Sequence, residues 1–238
     1  MRAYLYGFGL QWKLDIRSKT LLITCYIVPL LFFALMGGIF SSISPDMKHT
    51  LIQSMTVMGV TMGAVIGVPP SIAETYGSDI KKVYKANRIP LSQGLVSMAV
   101  SAFTHLLIMC AVVFLAAPMA FGAAIPASVP ACFLSLAIFI AVSLGIGCVL
   151  GLLIPNQAKL TMAAQVIFLP SIMMSGIMFP IELLPPVLQD IGKIFPASWG
   201  YRLMLDNGLS FQNLWYLILV FIAAAACCGL VLKKQKAA

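Results

Sequence analysis

Charged residues are scarce in this sequence. Only 9% of its 238 residues are Asp, Glu, Lys or Arg, whereas 61% are hydrophobic, and the mean hydropathy is +1.01. A soluble domain usually carries about 25% charged residues. So few charges cannot cover the surface of a water-soluble fold. The composition therefore excludes an ordinary soluble domain and leaves lipid as the solvent for most of the chain.

The sequence also lacks a nucleotide-binding motif. No segment matches GxxxxGK[ST], so the chain is not expected to bind or hydrolyse ATP through a phosphate loop. The stretch "GIGCVLG", which contains Gly147 and Gly151, has the glycines but no following lysine and hydroxyl residue. We expect the chain not to be an enzyme by itself.

Ionisable groups are missing from the centres of the apolar stretches. No Asp or Glu lies in the middle of any of them, and we expect no buried carboxylate. Transporters driven by protons or sodium ions usually need such a group. A lone histidine such as His105 is more often a hydrogen-bonded packing residue than a proton relay. These absences disfavour a secondary transporter.

Metal-ligand patterns are absent as well. The six cysteines fall within or at the ends of apolar stretches, and none has a histidine at metal-site spacing. We interpret them as small hydrophobic residues and expect no disulfide, no metal and no cofactor bound by this chain.

Long uncharged apolar runs are abundant. Each of six runs is close to the roughly 20 residues that a helix needs to cross about 30 Å of hydrocarbon. They predict an all-α polytopic integral membrane protein with six transmembrane helices in a single domain over residues 1–238. The runs are about Leu21–Phe40, Leu51–Ile72, Val96–Ala117, Pro130–Ile154, Leu160–Phe179 and Leu214–Leu232.

The basic residues indicate the orientation of the chain. With the N-terminus inside, only Lys48, Lys193 and Arg202 of the 15 Lys and Arg residues fall in outer loops. This bias predicts that both termini are cytoplasmic. The net charge of +8 is then a topology signal rather than a sign of nucleic-acid binding. The polar start runs to Thr20, too long for the basic region of a cleaved signal peptide, so none is expected.

The N-terminal region, residues 1–20, has an amphipathic pattern. Leu5, Phe8, Trp12 and Ile16 recur at three- and four-residue spacing. This pattern predicts a helix lying in the inner membrane interface. The alternative is a helical approach to the first span with no role of its own.

Small and polar residues inside the runs suggest close contacts between helices. Gly59, Gly63 and Gly67 form two overlapping GxxxG patterns, which allow helix backbones to approach closely. They serve packing either within one chain or between two copies. Gln165, in the fifth run, either donates a hydrogen bond to another helix or contacts substrate; the first alternative is favoured.

The inner loop between the second and third runs, residues 74–93, is the most polar part of the chain. Its sequence, "ETYGSDIKKVYKANRIPLSQ", predicts a short helix. The helix would start at Ser78 and Asp79 and carry an apolar face made by Ile80, Val83 and Tyr84. Two interpretations remain open: a basic loop that lies on the lipid surface, and a docking site for a cytoplasmic partner.

The outer segment, residues 180–212, is broken by prolines. Pro180 and the pair Pro185–Pro186 cannot lie inside a regular helix, so the fifth run should end near Phe179. A short amphipathic helix with Leu188 and Ile191 on its apolar side should follow. Irregular backbone at membrane depth needs cover from protein or a cavity, which predicts a re-entrant helix pair above a cavity.

Three segments together resemble the membrane subunit of type-2 ATP-binding-cassette exporters. They are the amphipathic N-terminal stretch, the loop "ETYGSDIKKVYKANRIPLSQ" and the outer stretch "SGIMFPIELLPPVLQDIGKIFPASWGYRLM". Many relatives carry a glycine–threonine–leucine–glutamate run before the basic helix. This chain has Gly77, Ser78, Asp79 and Ile80 there, so docking contacts are expected to differ in detail.

The resemblance implies partners and a cycle. It implies a dimer, with itself or with a related permease, and a separate cytoplasmic ATPase subunit that binds ATP and Mg²⁺. It implies that Ser78, Asp79, Ile80, Val83 and Tyr84 dock on the ATPase. The outer gate would comprise Phe179, Pro180, Leu188 and Ile191. A hydrophobic or amphipathic substrate such as a drug, an antimicrobial peptide or a lipid-like molecule would leave a bacterial plasma membrane. The competing interpretations are a non-transporting immunity or assembly protein and a secondary transporter.

Overall fold

The computed structural model of this chain is built from helices. It describes residues 2–43, 45–77, 84, 86, 90–206 and 210–237, and no β-strand occurs within these ranges. Five helices in the described part are long and apolar enough to cross a membrane. The expected class, an all-α polytopic membrane protein, is confirmed.

The long helices are numbered here as spans in chain order. Spans 1, 2, 3, 4 and 6 are Lys19–Ser42, Leu51–Gly77, Leu91–Phe121, Val129–Leu153 and Phe211–Gln235. Span 5 is the shorter helix Gln157–Met173. The N-terminal helix is Arg2–Arg17, and the outer segment contains helices Pro186–Gly192 and Pro196–Leu205. Short 3₁₀ turns cover Pro45–His49 and Ile181–Leu183.

The expected count of six membrane-length helices is wrong by one. The fifth run was expected to be helical over Leu160–Phe179, but span 5 has 17 residues and measures about 26 Å. It ends early because Gly176 adopts a φ of +81°, a left-handed conformation that glycine reaches without strain. The sequence pattern placed the end at Pro180 and missed this glycine.

Span 2 forms the centre of the bundle. Within its most apolar 18-residue stretch 89% is buried, against 22% for span 1 and 17% for span 6. Glycines of span 4 let the two backbones touch. A Cβ at Gly147 would collide with the carbonyl oxygen of Ala64, and one at Gly151 would lie 2.8 Å from that of Pro69. Such close approach maximises the van der Waals contact that holds helices together in lipid.

Spans 1 and 2 each contain one π-helical turn. These turns are Ile23–Ile27 and Gly63–Gly67. They pack against each other, since the sulfur of Cys25 lies 3.2 Å from the position of a Cβ at Gly63 and 3.3 Å from that at Gly67. Single π turns interrupt helices most often at functional sites. Two of them in contact mark the level of the bundle just above the N-terminal helix.

Candidate functional site

The N-terminal helix lies along the lower half of span 3. At Gly7 only 3.3 Å would separate an added Cβ from the hydroxyl oxygen of Ser97. Span 3 presents polar residues to this helix at four-residue spacing: Ser97, Ser101 and His105, all buried. Four-residue spacing places them on one face of span 3. The two helices therefore meet through a polar seam rather than an apolar one.

Asp15 is the central acidic group of this seam. Its side chain is only 5% exposed. The Ser101 hydroxyl donates to one carboxylate oxygen at 2.5 Å, and the Gln11 amide donates to the other at 2.7 Å. Burial raises the pKa of Asp15, while these two hydrogen bonds and the nearby His105 lower it by less. The expectation that the chain buries no carboxylate is therefore wrong.

His105 joins the N-terminal helix to span 1. It is 2% exposed, and its Nδ1 lies 2.7 Å from the hydroxyl oxygen of Tyr26. The Trp12 ring stacks on the imidazole with 4.0 Å between ring centres and 9° between planes. The Nε2 atom has no hydrogen-bond partner among the described residues. His105 is hydrogen-bonded, as a lone histidine in a span is expected to be, yet half of its hydrogen-bonding capacity is unused.

The predicted face of the N-terminal helix is only partly the buried one. Trp12 packs inward, but Ile16 is 47% exposed and Asp15 takes a buried position. The apolar spacing predicted the helix correctly, but it gave no sign that Asp15, next to Ile16, is buried. The signal that would have revealed it is the polar series Ser97, Ser101 and His105 in span 3, which needs a polar partner.

The coupling loop, residues 74–93, reaches the base of span 3 through two tyrosines. The hydroxyls of Tyr76 and Tyr84 lie 3.1 and 3.0 Å from the position of a Cβ at Gly94, and Tyr76 donates to the Leu91 carbonyl at 2.5 Å. Tyr84 is half-buried. Of the predicted docking residues, Ser78, Asp79, Ile80 and Val83 lie outside the described residues, and the docking role stays a prediction.

A cavity with a mostly apolar wall and a few polar groups lies between these elements. It has a volume of about 370 Å³. The N-terminal helix contributes Gly7 and Gln11 to its wall, the coupling loop contributes Tyr84, and the base of span 3 contributes Ser97. One cavity is thus bordered by the N-terminal helix, the coupling loop and the base of span 3.

The residues predicted for the outer gate lie at the surface of the outer segment. Phe179 is 46% exposed, Ile191 is 37% exposed, Pro180 is exposed and Leu188 is half-buried. Other apolar side chains here are more exposed still, with Leu183 at 73%. The segment presents an apolar outer surface, and its role as a gate stays a prediction.

Hydrogen bonds fix the outer segment to itself and to span 6. The Ser198 hydroxyl donates to the Gly192 carbonyl at 2.5 Å, and the Trp199 indole donates to the Lys193 carbonyl at 2.6 Å. Tyr216 of span 6 donates to the Ile194 carbonyl. The outer pair of helices therefore sits as one braced unit on the start of span 6.

Glycines seat the outer helices on the bundle. A Cβ at Gly192 would collide with the carbonyl oxygen of Met174, at the end of span 5. One at Gly200 would collide with the Phe139 ring of span 4. Helix Pro186–Gly192 therefore contacts the backbone at the end of span 5, and helix Pro196–Leu205 contacts the Phe139 ring of span 4.

The GxxxG stripe of span 2 faces other helices of the same chain. A Cβ at Gly59 would lie 2.5 Å from Met109, and one at Gly67 would lie 2.6 Å from Thr24. Gly63 faces Leu106 and Cys25. Of the two alternatives for this stripe, packing within the chain is the one that this geometry supports.

Among the described residues Gln165 does not make the hydrogen bond to another helix that was favoured for it. Its side chain is exposed on span 5, beside Met162 and Val166, which are 70% and 71% exposed. Sequence reasoning assumed that a polar residue in an apolar run points inward.

The six cysteines are all unpaired in the structure.

A comparison with protein families identifies the chain. The model of the ABC-2 type transporter family matches residues 8–209, which include the second half of the N-terminal helix, the coupling loop and nearly all of the outer segment. No curated protein gives a significant match. Because the match covers most of the sequence, the chain belongs to the ABC-2 type transporter family and is the membrane permease component of an ABC transporter.

Proposed function

We propose that the chain is the permease subunit of an ATP-driven exporter. It works as a dimer with a separate cytoplasmic ATPase that binds ATP and Mg²⁺. It moves a hydrophobic or amphipathic substrate out of the cytoplasm or inner leaflet of a bacterial plasma membrane, with both termini cytoplasmic. The observation that carries the proposal is the meeting of the coupling loop and the N-terminal helix at the base of span 3, in a chain of this family.

The contact at Gly94 supplies a route from a partner to the spans. The Tyr84 hydroxyl lies 3.0 Å from the position of an added Cβ at this glycine, so a displacement of the coupling loop reaches the backbone of span 3 through one aromatic side chain. An ATPase can drive transport only if its ATP-bound and ATP-free states bind two permease arrangements with different affinities. A rigid contact between the loop and a span converts that difference into helix movement.

The exposed face of span 5 supports a second permease subunit. The amide of Gln165 is costly to leave in hydrocarbon. A partner subunit or a water-containing pathway would satisfy it. We assign this face to a shared pathway between two permease subunits, where Gln165 contacts substrate or the partner.

The outer segment supplies the exit. Its apolar surface, with Phe179 and Leu183 exposed, suits contact with an amphipathic molecule leaving the membrane. Its bracing on spans 5 and 6 couples its position to helix tilt. We assign the gate to this surface.

Replacing Tyr84 tests the coupling route. In proteoliposomes that contain the permease with its co-purified ATPase, Tyr84→Ala should leave ATP hydrolysis at half or more of the wild-type rate. Export of a fluorescent amphipathic dye should fall at least tenfold, because the contact with Gly94 is lost. Ala86→Ser, at an exposed position of the same loop, is the matched control and should transport normally. Normal export by Tyr84→Ala would refute the docking assignment.

A further inference from the structure

Asp15 occupies an unusual place for an acidic residue. The N-terminal helix carries it outside the spans, where water is available, yet packs its side chain against span 3. Its neighbours Lys13 and Arg17 are exposed on the same helix. The helix therefore exposes Lys13 and Arg17 and buries Asp15.

Neutral groups donate hydrogen bonds to the carboxylate. Ser101 and Gln11 each donate one hydrogen bond, one to each oxygen. Among the described residues Asp15 forms no ion pair. A hydroxyl can turn from donor to acceptor, which lets Ser101 bond the protonated acid as well as the anion. The site can therefore hold Asp15 in both protonation states.

The groups around Asp15 come from three helices. Span 3 contributes His105, span 1 contributes the Cys25 thiol and the Tyr26 hydroxyl, and the N-terminal helix contributes the exposed Lys13 and Arg17. His105 is the nearest group that can become cationic, and its Nε2 is buried without a partner. A proton entering the cluster thus affects the contacts of every helix that meets there.

We propose that Asp15 is a proton-binding site whose occupancy determines whether the N-terminal helix is docked on span 3. This inference rests on the fold and does not depend on the proposed export function. Docking removes the carboxylate from water, whereas undocking returns it to water. Proton binding and docking are therefore linked.

The direction of the linkage follows from the burial of Asp15. In the undocked helix the pKa of Asp15 has its ordinary value near 3.8, and docking raises that pKa. The docked state therefore binds more protons between the two pKa values. Lowering the pH through the raised pKa favours docking, and raising the pH above it favours release. Within this window the ratio of docked to undocked helix changes up to about tenfold per pH unit.

Spin-label distance measurements on the full chain in phosphatidylcholine nanodiscs test the proposal. One label is placed at Gly9→Cys, where an added Cβ meets nothing within 4 Å, and the other at Met119→Cys, which is 88% exposed. Cys227→Ser removes the one cysteine that is not buried. As the pH is raised from 4.5 to 8.5, the population with the docked distance between the labels should decrease and a second population with a different distance should appear.

Variants at the site assign the titration. Asp15→Asn mimics the protonated acid and should keep the docked distance at every pH. Ser101→Ala removes a donor to the anion and should move the midpoint upward by about one pH unit. Lys13→Gln is the matched exposed control, and its distance distribution should change with pH as that of the wild type does.

Three results would overturn the proposal. The first is a wild-type distance distribution that does not change with pH. The second is a pH response of Asp15→Asn equal to that of the wild type. The third is loss of the response in His105→Phe but not in Asp15→Asn, which would assign the proton to the histidine. If Asp15→Asn fails to fold, the Ser101→Ala variant provides the test. A midpoint of its pH-dependent distance change equal to that of the wild type would refute the site.

Discussion

At the scale of single residues, the bundle depends on positions where a side chain would not fit. Gly147 of span 4 lies against the backbone carbonyl of Ala64 in span 2, which cannot move aside as a flexible side chain could. Span 2 is the most buried of the five membrane-length helices in the described part of the chain. Its contact with span 4 therefore fixes the core around which the other spans pack.

The Gly147→Ala variant should be markedly less stable. Forcing two backbones apart in a packed core costs about 1–3 kcal/mol, or a melting temperature lower by roughly 2–10 °C in a chain of this length. Thermal unfolding in one detergent measures the difference. Gly229→Ala, where an added Cβ meets nothing within 4 Å, is the control and should melt at or above the wild-type temperature. Equal melting of Gly147→Ala and wild type would contradict the close approach.

Individual residues were the hardest level to predict from the sequence. Periodicity identifies the helix that contains Trp12, but the buried state of Asp15 depends on which face meets span 3, and that is a tertiary fact. Gln165 shows the opposite error, since a polar residue in an apolar run was assumed to point inward and is exposed. Both errors arise because helix rotation about its axis is not encoded in local pattern.

At the scale of elements, the outer segment is a braced unit. Helix Pro186–Gly192 rests on the end of span 5 through Gly192, and helix Pro196–Leu205 rests on span 4 through Gly200. Buried hydrogen bonds connect the two. The segment therefore moves with the spans beneath it.

The Gly192→Ala variant should impair export more than stability. An added methyl meets the Met174 carbonyl and pushes the outer helix away from span 5. We expect a several-fold loss of dye export with a melting temperature within a few degrees of wild type, because the segment lies at the edge of the bundle. The control is Asp190→Asn on the same helix, which removes only an exposed ion pair with Lys193. Export at the wild-type rate by Gly192→Ala would show that this helix does not take part in transport.

Element types were predictable and their ends were not. Long apolar runs gave the spans because about 20 uncharged residues in lipid have few alternatives to helix. The end of span 5 was placed at the proline, whereas the chain turns at Gly176. A proline in a sequence predicts a helix end by itself, whereas the left-handed conformation of a glycine is known only from the folded structure.

At the scale of the whole molecule, orientation depends on charge. The inner loop between spans 2 and 3 carries Lys81, Lys82 and Lys85. Their distribution is what predicts cytoplasmic termini.

Reversing these three charges to glutamate should disturb topology more than coupling. A cysteine placed at Met119, at the predicted outer end of span 3, should react with a membrane-impermeant maleimide in wild-type cells and lose part of that reaction in the variant. Correctly inserted molecules should keep their ratio of transport to ATP hydrolysis. Reversal of the outer Lys48 and Lys193 should preserve the reaction. If the cysteine at position 119 of the triple variant reacted fully with the maleimide while ATP hydrolysis no longer drove transport, the lysines would instead be docking residues.

Purification in mild detergent at native expression tests whether a separate ATPase drives this permease. The tagged chain should bring down a soluble ABC ATPase in stoichiometric amount, identified by mass spectrometry. Tyr84→Ala should retain less of it. A second six-span permease in the same sample would make the working unit a heterodimer. Recovery of the chain alone, under gentle conditions and after crosslinking at position 84, would contradict the exporter assignment.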